Sequence, residues 1–186
     1  MIEIRWHGRG GQGVVTASEI LAKAALLEGK FVQHWPMFGP ERRGAPVNAF
    51  TRIDEEPIDM HFGVYNPDIV VVIDPTLLIN VESITSGIKE NALMVVNASK
   101  IHSNLIEKAR NLNLSLYAVD AYTIAIDIFN RPFYNTPMLG ALIKVSSIVS
   151  INSIYKAVEE KFKNKVLVEK NKEAIKRAYD EVKKVE

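Results

Sequence analysis

Gly8, Gly10 and Gly13 stand at the spacing G-x-G-x-x-G, the form of a phosphate-binding turn in a βαβ unit. Glycines at such a turn let the backbone take special dihedrals and approach a ligand closely. With Gly11 and Gln12 they make a candidate anion site, because the N-terminus of the helix that follows favours negative charge. A second element is Glu41-Arg42-Arg43, framed by Gly39-Pro40 and Gly44-Ala45-Pro46. Prolines reduce the freedom of that loop, and guanidinium forks suit carboxylates and phosphates, including those of coenzyme A. The plainer reading is that Glu41 pairs with a neighbouring arginine and the loop merely packs.

The elements around the turn fit it. Ile2, Ile4 and Trp6 alternate as a strand does, and Val14–Leu27 reads as a helix that stops at Glu28-Gly29. A dinucleotide site also needs an Asp or Glu about 20 residues beyond the glycines, at the end of the second strand, to hold the ribose. Here that strand, residues 31–35, runs into Pro36, Met37 and Phe38; Glu28 comes too early and Glu41 lies beyond a Pro/Gly-rich turn. The phosphate-type turn is present and its usual ribose partner is missing.

Further along, residues 47–53 alternate as a strand, 54–57 read as a hairpin turn, and 58–62 read as the returning strand. Residues 69–73 are apolar throughout, as a parallel strand covered on both faces would be. Strands follow at 92–96 and 114–119, and helices at 81–89, 101–111, 122–130 and 137–149, the last entered from Asn135-Thr136. Ile175, Ala178, Tyr179 and Val182 fall at helical spacing and predict a C-terminal amphipathic helix. The fold class expected is α/β: a Rossmann-like, mostly parallel sheet flanked by helices, with an inserted β-hairpin, in one domain over residues 1–186. Asp74, Asn97 and Asp120 end successive core strands, where ligands bind in open sheets, but helix capping alone explains their types.

Composition excludes several chemistries. The chain of 186 residues has no cysteine, so it offers no disulfide, no thiol nucleophile and no cysteine ligand for an iron–sulfur cluster. His7, His34, His61 and His102 are scattered and predict no metal site. A net charge of +1 gives no basic surface for nucleic acid, and no apolar run approaches membrane-spanning length. Without a signal-peptide pattern the chain reads as cytoplasmic. No residue set reads as general acid, base or nucleophile, so no catalytic residue is assigned.

The strings WHGRGGQGVVTAS at 6–18, FGPERRGAPVNAFTRI at 38–53 and NTPMLGAL at 135–142 together resemble the gamma subunit of 2-oxoacid:ferredoxin oxidoreductases, with the pyruvate-specific branch the nearest in pattern. The resemblance runs through essentially the whole chain, in order. It implies a complex that converts pyruvate, coenzyme A and oxidised ferredoxin to acetyl-CoA, carbon dioxide and reduced ferredoxin. Alpha and beta subunits would hold thiamine diphosphate and Mg2+, and a ferredoxin-like delta subunit would carry [4Fe–4S] clusters. The gamma subunit would be non-catalytic and would help bind coenzyme A. On that view Gly8, Gly10, Gly11, Gln12 and Gly13 meet a coenzyme A phosphate or a partner carboxylate, Arg42 and Arg43 contact coenzyme A phosphates or the alpha and beta subunits, and Asn135 and Thr136 cap a helix. The alternatives are a complex for another 2-oxoacid, a free-standing NAD- or flavin-dependent reductase, or a nucleotide-binding regulatory module.

Overall fold

The structure is a computed structural model that describes residues 1–37 and 44–185. Among the described residues seven strands form one sheet: β1 (Ile2–Arg9), β2 (Phe31–Met37), β3 (Pro46–Asp54), β4 (Ile69–Val72), β5 (Leu93–Asn97), β6 (Ser115–Val119) and β7 (Lys183–Lys184), in the order β2-β3-β1-β4-β5-β6-β7. The pairs β1·β4, β4·β5 and β5·β6 are parallel. Because β3 is antiparallel to both β1 and β2, those two run the same way, and only β3 and β7 oppose the rest. The expected mostly parallel α/β sheet is present.

The inserted hairpin is also present, but its strands are β2 and β3 rather than residues 47–53 and 58–62. No strand forms at 58–62. Side chains of the sheet take the carbonyls that a returning strand would have paired. Gln33 Nε2 donates to the Ile58 and Met60 carbonyls, and Arg52 Nη2 to those of Phe62 and Gly63. This segment therefore lies over the sheet as a strap instead of extending it.

Helices α1 (Val14–Leu27), α4 (Ala121–Phe129), α5 (Asn135–Ser146), α6 (Ile151–Lys161) and α7 (Lys165–Glu181) share one core with Ile4, Trp6, Val71, Ile73 and Val95. The short α2 (Val81–Thr85) and α3 (Ser103–Asn111) cover the other face, over Val70, Val72, Met94, Val96 and Leu116. β4 is thus buried on both faces, as its apolar run predicts. Ala174, Ile175 and Ala178 bury one side of α7, as the C-terminal periodicity predicts. Gly140 of α5 packs so closely on α7 that an added Cβ would collide with the Ile175 carbonyl oxygen. Helix α6 and the two-residue β7 add to the expected elements; Ile151, Ile154, Tyr155 and Val158 of α6 fall at helical spacing, and Ile154, Ala157 and Val158 are buried.

Candidate functional site

Strand β1 runs three residues further than its alternation of Ile2, Ile4 and Trp6 announces, so Gly8 lies inside it. A Cβ on Gly8 would collide with Val14 Cγ2, so this glycine lets α1 lie close on the sheet. Gly10 continues the pairing with the far end of the β2–β3 connection. Its N–H donates to the Ala45 carbonyl at 2.9 Å, and its carbonyl accepts from the Gly44 N–H at 3.1 Å. Gly11 and Gly13 hold φ of 93° and 76°, in the left-handed region that glycine occupies without strain. Gly13 also abuts Asn135: an added Cβ would stand 2.7 Å from its Nδ2.

Gln12 ties the turn shut. Its Oε1 accepts the Arg9 N–H at 2.8 Å, and its Nε2 donates to Asp74 Oδ2. Asp74, at the end of β4, also caps the 3-10 turn Pro75–Ile79 by accepting the Thr76 N–H at 2.8 Å. Arg9 Nε lies 3.5 Å from the Asp74 carboxylate, and its Nη1 donates to the Gly44 carbonyl at 3.1 Å. The capping role expected of Asp74 and Asp120 is observed, Asp120 accepting the Thr123 N–H at 3.0 Å. Asn97 braces two elements, donating to the Ile73 carbonyl and accepting the Ala121 N–H.

Asn135 and Thr136 do not cap α5. The cap position is Tyr134, with no side-chain hydrogen bond. Asn135 packs on Gly13, and buried Thr136 Oγ1 donates to Asn171 Oδ1 at 2.8 Å, which fastens α5 to α7. Like α5, α1 has no side-chain cap, so the N–H groups of its first turn face the glycine turn without one. Arg42 and Arg43 lie outside the described residues.

The topology explains the missing ribose acid. In a dinucleotide-binding fold the second strand lies beside the first. Here β3 intervenes, so the end of β2 is about 10 Å from β1, two strand spacings away. An acid there would not reach a ribose held at the glycine turn.

The opposite face of β1 carries a polar row that the sequence reading passed over. Arg5, His7 and Arg9 alternate with Ile4, Trp6 and Gly8, and they face away from α1. With Asn48 of β3, Thr76, Asn80 and the end of α2 they line a cleft of about 960 Å³. Arg5 is 8% exposed and His7 6%. Arg5 Nε donates to His7 Nε2 at 3.0 Å, and Arg5 Nη2 to the carbonyls of Ile84 and Ser86 at 2.9 and 2.8 Å. Burial, and then the Arg5 charge, push the His7 pKa down to about 3 against a weaker opposing hydrogen bond with Asn48. His7 is therefore neutral at physiological pH, with its proton on Nδ1 while Nε2 accepts. The period-two spacing of Arg5, His7 and Arg9 was the available signal.

Among the described residues no three His, Asp or Glu side chains gather to hold a metal ion. Among them, too, no helix is long and apolar enough to cross a membrane.

Comparison with known proteins agrees with the geometry. A gamma subunit common to pyruvate and ketoisovalerate oxidoreductases in Thermococcus litoralis is 50% identical over 97% of this chain and 96% of its own length. The pyruvate synthase subunit PorC of Methanothermobacter thermautotrophicus is 48% identical over 100% of this chain and 98% of its own. The crystal structure of the Thermotoga maritima pyruvate oxidoreductase subunit PorC superposes with a TM-score of 0.87 at 44% identity, covering 100% and 98% of the two chains. The pattern of the family described as pyruvate ferredoxin/flavodoxin oxidoreductase matches residues 3–181, and the chain belongs to that family.

Proposed function

We propose that this chain is the gamma subunit of a pyruvate:ferredoxin oxidoreductase, that it carries no catalytic residue, and that it helps to bind coenzyme A. The observation that carries this reading is the glycine turn at the side-chain-uncapped start of α1, in a sheet whose ribose crevice β3 has closed. Such a turn suits an anion without suiting a dinucleotide. That weighs against the NAD- or flavin-dependent reductase and the nucleotide-binding module.

Coenzyme A is a polyanion, and its phosphates match an uncapped helix start. Asp74 stands behind the turn, and Arg9 offsets its charge. The surplus positive charge that an anion needs is therefore assigned to Arg42 and Arg43, in the loop that leads into Gly44 and Ala45. Gly8 and Gly13 serve packing in this arrangement, while Gly10, Gly11 and the α1 N-terminus line the anion. A partner carboxylate would suit the same turn.

Thiamine diphosphate with Mg2+ and the [4Fe–4S] clusters are assigned to alpha, beta and delta subunits, since this chain has no cysteine to ligate a cluster. We read residues 1–186 as one gamma domain of a cytoplasmic enzyme. The Thermococcus litoralis relative is named for two substrates, pyruvate and ketoisovalerate. That fits a division of labour in which the choice of 2-oxoacid rests with other subunits, so this chain alone does not fix it.

The test is a tagged, anoxic purification of the native complex with mass spectrometry of the partners, followed by assay. Recovery of larger partners and a cysteine-rich subunit, with dye reduction that needs both pyruvate and coenzyme A, supports the reading. Replacing Arg42→Ala and Arg43→Ala together is expected to raise KM for coenzyme A in the intact complex. An unchanged KM sinks the arginine assignment, and a clean monomer or homodimer sinks the subunit assignment.

A further inference from the structure

A buried guanidinium is costly unless a counter-charge meets it. Arg5 is 8% exposed, and no carboxylate pairs with it among the described residues. The carbonyls of Ile84 and Ser86, at the C-terminal end of α2, offset part of its charge. His7 contributes only a neutral acceptor. The other charges lining the cleft are matched: Arg9 lies 3.5 Å from Asp74, and Glu82 lies 2.8 Å from Lys108. Among the described residues the cleft therefore has a surplus of positive charge centred on Arg5, at its floor.

The lip is apolar. Ile79, which lines the mouth, is 86% exposed. Met37, 60% exposed, shares a sheet face with His7 through the register Met37–Asn48–His7. A small inorganic anion needs no such lip, whereas a protein segment would cover it and bury its apolar area. The volume of about 960 Å³ holds several side chains.

We propose that the Arg5–His7–Arg9 cleft is a docking site for an acidic segment of a partner subunit, one of whose carboxylates becomes the counter-ion of Arg5. The proposal rests on the chain working inside a multi-subunit enzyme. The carboxylate approaches from the mouth past Ile79, and it completes the charge balance that the described residues lack.

The experiment uses the assembled complex. Since the chain has no cysteine, Ile79→Cys gives it one thiol, and peptide mass spectrometry reads its labelling by N-ethylmaleimide separately from that of the partners. Labelling is expected to slow by about tenfold or more between the isolated chain and the complex. In a second complex, Arg5→Lys places an amine at the floor of the cleft. Treatment with a water-soluble carbodiimide is expected to yield an amide joining position 5 to an Asp or Glu of a partner. Equal labelling at position 79, or an intact complex with no cross-link at position 5 or one only within this chain, overturns the docking site alone. Protection of position 79 in the isolated chain by millimolar inorganic phosphate or pyrophosphate also overturns it, in favour of a small anion. A chain that recovers no partner overturns this proposal and the subunit reading together.

Discussion

His7 accepts a hydrogen bond from Arg5 at 3.0 Å inside the sheet, where burial first, and then this neighbouring cation, keep its imidazole neutral. The pKa of His7 falls from 6.5 to about 3, first because burial disfavours the charged ring and then because Arg5 repels it. In the unfolded chain the same imidazole protonates near 6.5. Between these values the unfolded state binds more protons, so stability rises with pH and is lost as pH falls below 6.5. The slope from this one group is about 1.4 kcal/mol per pH unit. Denaturant titrations of the wild type and His7→Gln at several pH values between 4 and 7 would measure it. The glutamine keeps an acceptor for Arg5 and removes the titration, so its stability should depend less steeply on pH. Parallel curves for the two chains would refute this role for His7.

Gly8 is a packing glycine by its surroundings. Gly8→Ala is expected to cost about 1–3 kcal/mol, the usual penalty for overpacking. The obstacle is one methyl of Val14, so Val14→Ala should recover part of the loss when it is added to Gly8→Ala. A double-mutant cycle on unfolding free energies measures that coupling, and strict additivity would show that the two residues do not meet.

The α5–α7 crossing has no such relief. A Cβ on Gly140 meets a backbone carbonyl, that of Ile175, which cannot rotate aside. Gly140→Ala should therefore destabilise the chain more than Gly8→Ala does, despite adding the same methyl group. Thermal unfolding of both variants under one condition gives the ranking. A Gly140→Ala melting point at or above that of Gly8→Ala would contradict the close crossing.

The parts of this fold that were legible in the sequence are those set by local pattern. The α1 boundaries follow from Gly13 and Gly29 at its ends, and β4 follows from its unbroken apolar run. What was not legible depends on partners distant in the chain. Residues 58–62 alternate well enough for a strand, but Gln33 and Arg52 bind their carbonyls first. Asn135 and Thr136 have the types of caps, yet Gly13 and Asn171 engage them. At the site, the glycine spacing marked the turn but not its closure by Gln12 and Asp74, a contact across 62 positions. The Arg5–His7–Arg9 row was written in period two along β1, and becomes a cleft only because α2 ends against it.

Arg52 organises the strap over the sheet, and its removal should have effects at two distances. Its side chain is fully buried, with Nε 2.9 Å from Glu3 Oε1. Its guanidinium carbon lies 5.0 Å from the Trp35 ring centroid and 5.2 Å from that of Phe62. Arg52→Met keeps the apolar stem and contact with the rings but leaves Glu3 with a nearest described cation, Lys89, at 3.9 Å. Breaking a buried pair on one side typically costs about 3–5 kcal/mol, and the partial exposure of Glu3 argues for the lower end. The strap should also lose its hold, since the Phe62 and Gly63 carbonyls no longer have their donor. Native-state hydrogen exchange should then quicken in residues 58–66 more than in α1 or α7. Arg52→Lys restores charge but not the fork that spans Glu3, Gln33 and both carbonyls, so it should recover stability only in part. Unchanged exchange across 58–66 in Arg52→Met would mean that the strap is held by Gln33 and apolar contact, and that Arg52 serves the sheet alone.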